Sequence, residues 1–480
     1  MGGLTGRLPF NKPLKDDEWR DHIADCWRIP RDRLKQTSVL PNPGMAVGMM
    51  ERALKGELLA DFWMYTTHIN MPDVDTLVRP ALTKMFVVAQ DIYRHAPNNL
   101  YADVIFPAAT WGEWTGGTYI QSERRVYVCD GTMNPPPNCR PDMDMAIDKG
   151  RALCKRLGLD PDQVFPYEKK IRMGNGIMAY DPEEVFRDIV RASKGSDADL
   201  TGMLEVEEQD GISLYEQLRR LRGVQWPAPT AQIARKGGTP RRYLGQEGWA
   251  GKPYGAFRRP DGRAKFKLCE QDYSQIKQIC SKLMSFGHRT KKGAGPFLIG
   301  ELAAAQKEGR KSLLEVARDN ALPPELPDLE VYEDKNKSLE DHKAEGKYPF
   351  WLSLGIVYEH FHTSKTIRGA TTMKLVPEQY VEVNPEDAER FGLRDGEKVR
   401  IVTRRGSYEA RVSVGLDSIV HPARTEVPEG LIFSPWNLSV ADSADPTRNR
   451  WLVNTTSHRA WDPVSGQADY KKLAARIERI

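Results

Sequence analysis

Cysteine and histidine are scarce in this 480-residue sequence, six of the first and nine of the second. The cysteines (Cys26, Cys129, Cys139, Cys154, Cys269 and Cys280) never fall as a C-x-x-C pair, which argues against an iron–sulfur cluster or structural zinc within the chain. Scattered singles read as small, buried apolar side chains. No run of 18 or more apolar residues occurs, so no helix is expected to span a bilayer. The opening MGGLTGRLPFNKPL has neither an apolar core nor a small-residue cleavage site and does not read as a signal peptide. A charge excess is also missing: 70 basic against 66 acidic residues leave a net +4, without the lopsided basic surface of a nucleic-acid binder.

What is present is enough to build cores. Forty per cent of the residues are apolar, with 11 Trp and 17 Tyr, and the length suits two to four domains. The first 150 residues read as α/β. Leu58–Thr67, Met85–Asp91 and Ala102–Ala109 are apolar, β-rich runs, and the helix-like MPDVDTLVRPALTKM between the first two is interrupted by Pro80. Strand, helix, strand with short links implies a Rossmann-like parallel sheet, with ligands beyond the carboxyl ends of its strands. From 151 to 345, proline, glycine and charge clusters alternate with short helical pieces, a texture of irregular connection. From 346 to 480 the pattern is β again: strands around a short helix (Pro385–Phe391), turns at Asp395-Gly396 and Arg405-Gly406, and a further strand in EGLIFSPW. It predicts a small closed barrel.

Glu359, His360 and His362 crowd into four positions of WLSLGIVYEHFHTSK. In a strand the two histidines share a face, as a metal edge requires, but no nearby cluster supplies further ligands. Imidazoles hydrogen-bonded to neighbouring backbone are the plainer reading. A strand end presenting amides and imidazoles to a phosphate or heterocycle is the third, favoured by the dense polar set. Asp91, closing VVAQD, and Asp142, in CRPDMDM, each offer the paired acceptors that guanine's two donors match, or serve as turn and cap aspartates. GEWTGGTYIQSERRV is either an anion cradle or a turn followed by an ion-paired strand.

Taken in order, ADVIFPAATWGEWTGGTYIQSERR, GVQWP, RPDGRAKF, SLGIVYEHFHT, VEVNPEDAERFGLRDGEKVRIVTRRG and NTTSHRAWDPVSGQADYKKLAARI resemble the C-terminal part of molybdopterin oxidoreductases of the dimethyl-sulfoxide-reductase family. The likeness is strongest to periplasmic and assimilatory nitrate reductase catalytic subunits. It implies a six-stranded barrel of the double-psi type and a molybdenum held by two molybdopterin guanine dinucleotides. It also implies that Gln90, Asp91 and Asp142 contact guanine nucleotide, and that the loop Gly355–Thr363 wraps pterin and phosphates. Within that loop Tyr358, Glu359, His360, Phe361, His362 and Thr363 are the candidates, with the two histidines and Thr363 foremost. Trp436 falls where the family has an aromatic against cofactor, Asn454 where it has an amide, and Lys471 where it has a lysine near phosphate.

The chain departs from the pattern at Leu354-Gly355-Ile356, where threonine-glycine-arginine is common. Trp114 replaces a lysine, and His68 an asparagine. The loop Ser439–Trp451, with Arg448 and Arg450, looks longer than in nitrate reductases. No segment matches the cysteine-bound [4Fe-4S] cluster or the molybdenum side-chain ligand of the family's N-terminal half. No catalytic residue or metal ligand is therefore expected here, and the chain is expected to be a C-terminal portion or one part of a split enzyme. The implied substrate is a small anion, foremost nitrate, with arsenite-oxidase-like, formate-dehydrogenase-like and non-catalytic cofactor-holding readings as rivals. The implied partner is an N-terminal half or electron-transfer subunit, a cytochrome or iron–sulfur protein, and the implied compartment is the periplasm, with the cytoplasm as the alternative.

Overall fold

The computed structural model describes residues 7–13, 16–34, 45–64, 66–94, 97–120, 123–240, 348–360, 374–421, 425–436, 452–457, 468, 470 and 473–480. The chain forms two compact units, each discontinuous: one from Met1–Val39 and Phe106–Phe266, the other from Leu40–Ile105 and Lys267–Ile480.

The second unit holds the expected parallel sheet. Strands β1 (Ala60–Met64), β2 (Phe86–Asp91) and β3 (Val104–Pro107) lie in that order, and β1 and β2 run parallel from Ala60 opposite Phe86 to Met64 opposite Gln90. The return from β1 to β2 is helical, Val74–Val78 as a wide π turn leading into Arg79–Leu82. Pro80 sits in the first turn of that second piece, where a missing N–H costs nothing, so the proline shapes the helix without ending it. Leu77, Val78, Ala81 and Leu82 pack with Val47 and Met50 of the helix Met45–Leu54 and with Trp63, Val87 and Ala89 of the sheet.

The barrel closes from six strands. They are β4 (Phe350–Gly355), β5 (Tyr380–Val383), β6 (Lys398–Val402), β7 (Ser407–Val414), β8 (Leu431–Pro435) and β9 (Leu473–Arg479). The cyclic order is β4-β8-β5-β7-β6-β9. The β4/β8 and β5/β7 pairs are parallel and the remainder antiparallel. Period-2 alternation buries Phe350, Leu352 and Leu354, then Val399 and Ile401, then Tyr408, Ala410 and Val412, in one core. The helix Pro385–Arg390 forms as NPEDAER suggests: Asn384 caps it by accepting from the Glu386 amide at 2.9 Å, and Pro385 takes the first turn.

Sheet and barrel of this unit are joined through one loop. The Asn70 carbonyl accepts hydrogen bonds from Asn454 Nδ2 (2.7 Å) and the Tyr470 hydroxyl (3.0 Å), and the Asp73 amide donates to Ser457 Oγ (3.1 Å).

The first unit is more compact than its composition suggests. The hairpin Gly117–Ile120/Arg125–Cys129 gains a third strand, Val224–Gln225. Phe186 and Val190, Met203 and Val206, and Leu214 and Leu218 pack beneath it from three short helices. Polar, Pro-rich stretches here are caps: Asp181 accepts from the Glu183 amide, ahead of Pro182, and Ser213 from the Glu216 amide. Within GEWTGGTYIQSERRV, Gly117–Ile120 pairs antiparallel with the strand that begins at Arg125, and Arg124 donates to the carbonyls of Trp226 and Thr239.

Candidate functional site

The expected site residues distribute unevenly. Gln90 and Asp91 end β2, fully buried, at the carboxyl end of the parallel sheet where the topology predicts a ligand. Asp91 also accepts the Tyr93 amide at 3.0 Å, so the same carboxylate shapes the turn that follows. On the barrel, Gly355 ends β4 in register with Pro435, the last residue of β8, and Trp436 follows at once. The indole of Trp436 stacks on Tyr470, ring centres 6.3 Å apart and planes 23° apart. Burial holds the Tyr470 phenol above its ordinary pKa, so it stays a donor to the Asn70 carbonyl. Asn454, fully buried, donates to that same carbonyl.

Trp436, Asn454, Tyr470 and Asn70 are therefore one chain of contacts. Tyr470 and Asn70 were missed by sequence reasoning; the available signal was their flanking of motifs already singled out, the aromatic of DYKK and the loop after the first strand. Among the described residues, three side-chain atoms of this set lack partners. Asn454 Oδ1, and both polar ends of the Asn70 side chain, are buried without a hydrogen bond. Buried amides without partners are rare in native folds, so a polar ligand is the natural completion. This fits a polar cofactor seated against the barrel.

The histidine loop divides differently. Tyr358 is 88 % exposed. His360 is buried, with Nε2 2.7 Å from the Val376 carbonyl, beside an apolar cluster of Val357, Val376 and Tyr380. This is the geometry of an imidazole tied to backbone. Glu359 Oε2 lies 3.8 Å from His421 Nε2, and His421 stacks on Tyr380 at 4.5 Å, so these side chains fix the loop's root to the barrel. Phe361, His362, Thr363 and Lys471, with Arg448 and Arg450, lie outside the described residues.

Asp142 belongs to the other unit, as the first residue of the helix Asp142–Arg156. Burial lowers the pKa of Lys149 on this helix, and the charge of Asp142 opposes that shift. The helix start is fixed by its neighbour Asp144, fully buried, which pairs with Arg140 and accepts the Tyr180 amide at 2.8 Å. Of the described cysteines, Cys139 and Cys154 are buried and Cys26 and Cys129 half-buried, all four as free thiols. No group of three His, Cys, Asp or Glu side chains among the described residues is placed to hold a metal, and no described helix is long and apolar enough to cross a membrane.

Two families match the two regions built around this site. "Molybdopterin oxidoreductase" matches residues 31–153, and "Molydopterin dinucleotide binding domain" matches residues 350–474. Both matched regions are those of molybdopterin oxidoreductases. A curated relative, "Nitrate reductase" of Symbiobacterium thermophilum, is 26% identical over 479 residues, which is 100% of this chain and 48% of the relative. The chain thus spans about half the length of the curated relative it matches. Among solved structures, "Acetylene Hydratase from Pelobacter acetylenicus" aligns with a TM-score of 0.49 at 13% identity, over 91% of this chain and 46% of that one. The dinucleotide-binding match begins at Phe350, the first residue of β4, and ends inside β9, so it spans the barrel.

Proposed function

We propose that this chain is the portion of a molybdenum oxidoreductase that clasps a bis(molybdopterin guanine dinucleotide) cofactor, in an enzyme that removes an oxygen atom from nitrate to give nitrite. The observation that carries the reading is three buried amide atoms without a hydrogen bond, Asn70 Nδ2 and Oδ1 and Asn454 Oδ1, inside the unit that holds a molybdopterin-dinucleotide-binding barrel. When bound, the molybdenum supplies the two-electron, oxygen-accepting chemistry. The chain's residues bind and orient. Asn454 and Asn70 offer amide donors and acceptors, Trp436 an aromatic face, and Gln90 and Asp91 acceptors at the sheet's carboxyl end. Nitrate as substrate is supported by the family pattern of the tail and by the printed name of the relative.

Electrons would arrive through a [4Fe-4S] cluster on a further polypeptide or segment, with a cytochrome or iron–sulfur protein as donor; the relative's greater length supports this. The periplasm is the compartment we favour, on resemblance. The test is to co-express the chain with a partner carrying the cluster-binding segment, in cells that make the cofactor. Molybdenum and GMP released on denaturation are then measured, and nitrate, arsenite and formate are assayed as substrates. Molybdenum with about two GMP per metal and nitrate turnover is the expected result; purification without either overturns the reading.

A further inference from the structure

Val357, Val376, Tyr380 and Val420 form a small apolar cluster on the barrel unit, and their sequence neighbours face solvent. Ile356 and Tyr358 flank Val357, Leu375 precedes Val376 and Ile419 precedes Val420, each of the four more than half exposed. Single exposed apolar side chains are ordinary, but four gathered about one buried cluster mark an interaction surface. Ile419 is held in this position by the turn that carries it. The Asp395 carboxylate accepts from the Val414 amide (2.9 Å), the Ser418 hydroxyl (2.7 Å) and the Ile419 amide (2.8 Å). Ser413 Oγ donates to the His421 carbonyl at 2.8 Å and closes the turn. A turn fixed in this way spares an incoming partner the cost of ordering it.

The electrostatics of the same place define what the partner brings. Glu359 and Glu382 bracket one imidazole, with His421 Nε2 3.8 Å from the first and Nδ1 3.6 Å from the second. Both separations exceed a hydrogen bond, and among the described residues neither carboxylate has a second ion pair or a hydrogen bond. Two negative charges therefore face at most one positive charge. Burial, and then the charges of Glu382 and Glu359, hold the Tyr380 phenol above its ordinary pKa. A second copy of this chain docking on the same face would bring two more carboxylates to it, a like-charge juxtaposition that works against self-association. An arginine or lysine on an apolar segment completes both the charge and the surface. The Symbiobacterium relative carries about as much polypeptide again outside the matched region, since the chain covers 48% of it.

We infer that Ile356, Tyr358, Leu375 and Ile419, with Glu359 and Glu382 beside them, form the docking surface for the polypeptide that supplies the rest of the enzyme, through an apolar segment bearing an arginine or lysine. This deepens the proposed function and rests on it for the partner's identity.

The probe is the part of the Symbiobacterium thermophilum nitrate reductase that lies outside the match, tagged and co-expressed with the full chain, and its retention is measured by quantitative pull-down over a salt series. Wild-type chain is expected to retain the probe. Leu375→Ser with Ile419→Ser should raise the apparent Kd about tenfold, since both side chains lose apolar surface at the contact. Glu359→Gln with Glu382→Gln should raise it several-fold and flatten its salt dependence. An unchanged Tm shows that each variant is folded, and the glutamine pair, which keeps the shape of both side chains, carries the test if the serine pair does not fold. Failure of the wild-type chain to retain the probe, or equal retention by both variants, overturns the inference. A wild-type chain that sediments as a dimer, and as a monomer after Leu375→Ser with Ile419→Ser, gives the face to a second copy and also overturns it. Molybdenum and GMP content separates the two levels. A complex that depends on this face but carries neither sinks the enzyme reading alone. A complex that carries both, and forms equally well with the variants, sinks the docking surface alone.

Discussion

Asp148 shows how a single carboxylate reports on the site's scaffold. Burial alone would raise its pKa, but hydrogen bonds from Arg140 (2.6 Å) and Tyr180 (3.0 Å), with the charges of Arg140 and Lys170, bring it below the ordinary range. A depressed folded-state pKa means that its stabilisation is fully present above about pH 4 and is lost as pH falls through the folded value. Asp148→Asn should therefore flatten the acid limb of a Tm-against-pH curve while leaving Tm at pH 7 lower. Asp144 is the harsher case. It is fully buried, so Asp144→Ala leaves Arg140 with Asp148 alone and the Tyr180 amide without its carboxylate, and should cost about 1–3 kcal/mol in denaturant unfolding. Neither bond to Tyr180 was legible in the sequence, because a partner thirty-six residues from Asp144 and thirty-two from Asp148 leaves no local pattern. His360 was legible as an alternative: hydrogen bonding to backbone was among its readings, and spacing could not choose between that and ligand contact.

At the scale of elements, period-2 alternation gave away the barrel, and parallel runs the sheet. Boundaries were close: the helix expected at Pro385–Phe391 is Pro385–Arg390, and the Arg405-Gly406 turn joins strands whose last pair is Val402 opposite Ser407. What alternation hid is the polar atom inside the barrel. Ser434 of β8 is fully buried, accepting from the Tyr408 hydroxyl at 2.6 Å and donating to the Tyr380 carbonyl at 2.8 Å. Ser434→Ala leaves that hydroxyl unpaired and should cost about 1–3 kcal/mol, measurable as a shift in denaturant midpoint. In the first unit, composition mistook caps and tight approaches for loose wrapping. A Cβ on Gly202 would come within 2.1 Å of the Thr230 carbonyl, so the helix Gly202–Asp210 sits directly on backbone. Gly202→Ala should destabilise by about 1–3 kcal/mol through forced backbone movement.

For the whole molecule, the decisive bonds are those that sequence separation conceals. Asn70 and Asn454 are 384 positions apart, as are Asp73 and Ser457. Asn454 was recognisable by family pattern, its partner was not, and no periodicity predicts such a meeting. Asn454→Leu should cost about 1 kcal/mol through the lost bond to the Asn70 carbonyl. If the amide also touches cofactor, it should lower molybdenum content further than a control of equal stability loss, such as Ser434→Ala.

The cyclic order of the barrel bears on how the protein is made. Its closing strand, β9, lies between β4 and β6 yet is the last of the six in the chain. While the polypeptide is still emerging from the ribosome, β4 and β6 each present a raw, unbonded edge until Leu473–Arg479 has been translated. Tyr470, three residues ahead of that strand, is delivered at nearly the same moment, so the barrel edge and the aromatic stacked on Trp436 are completed together.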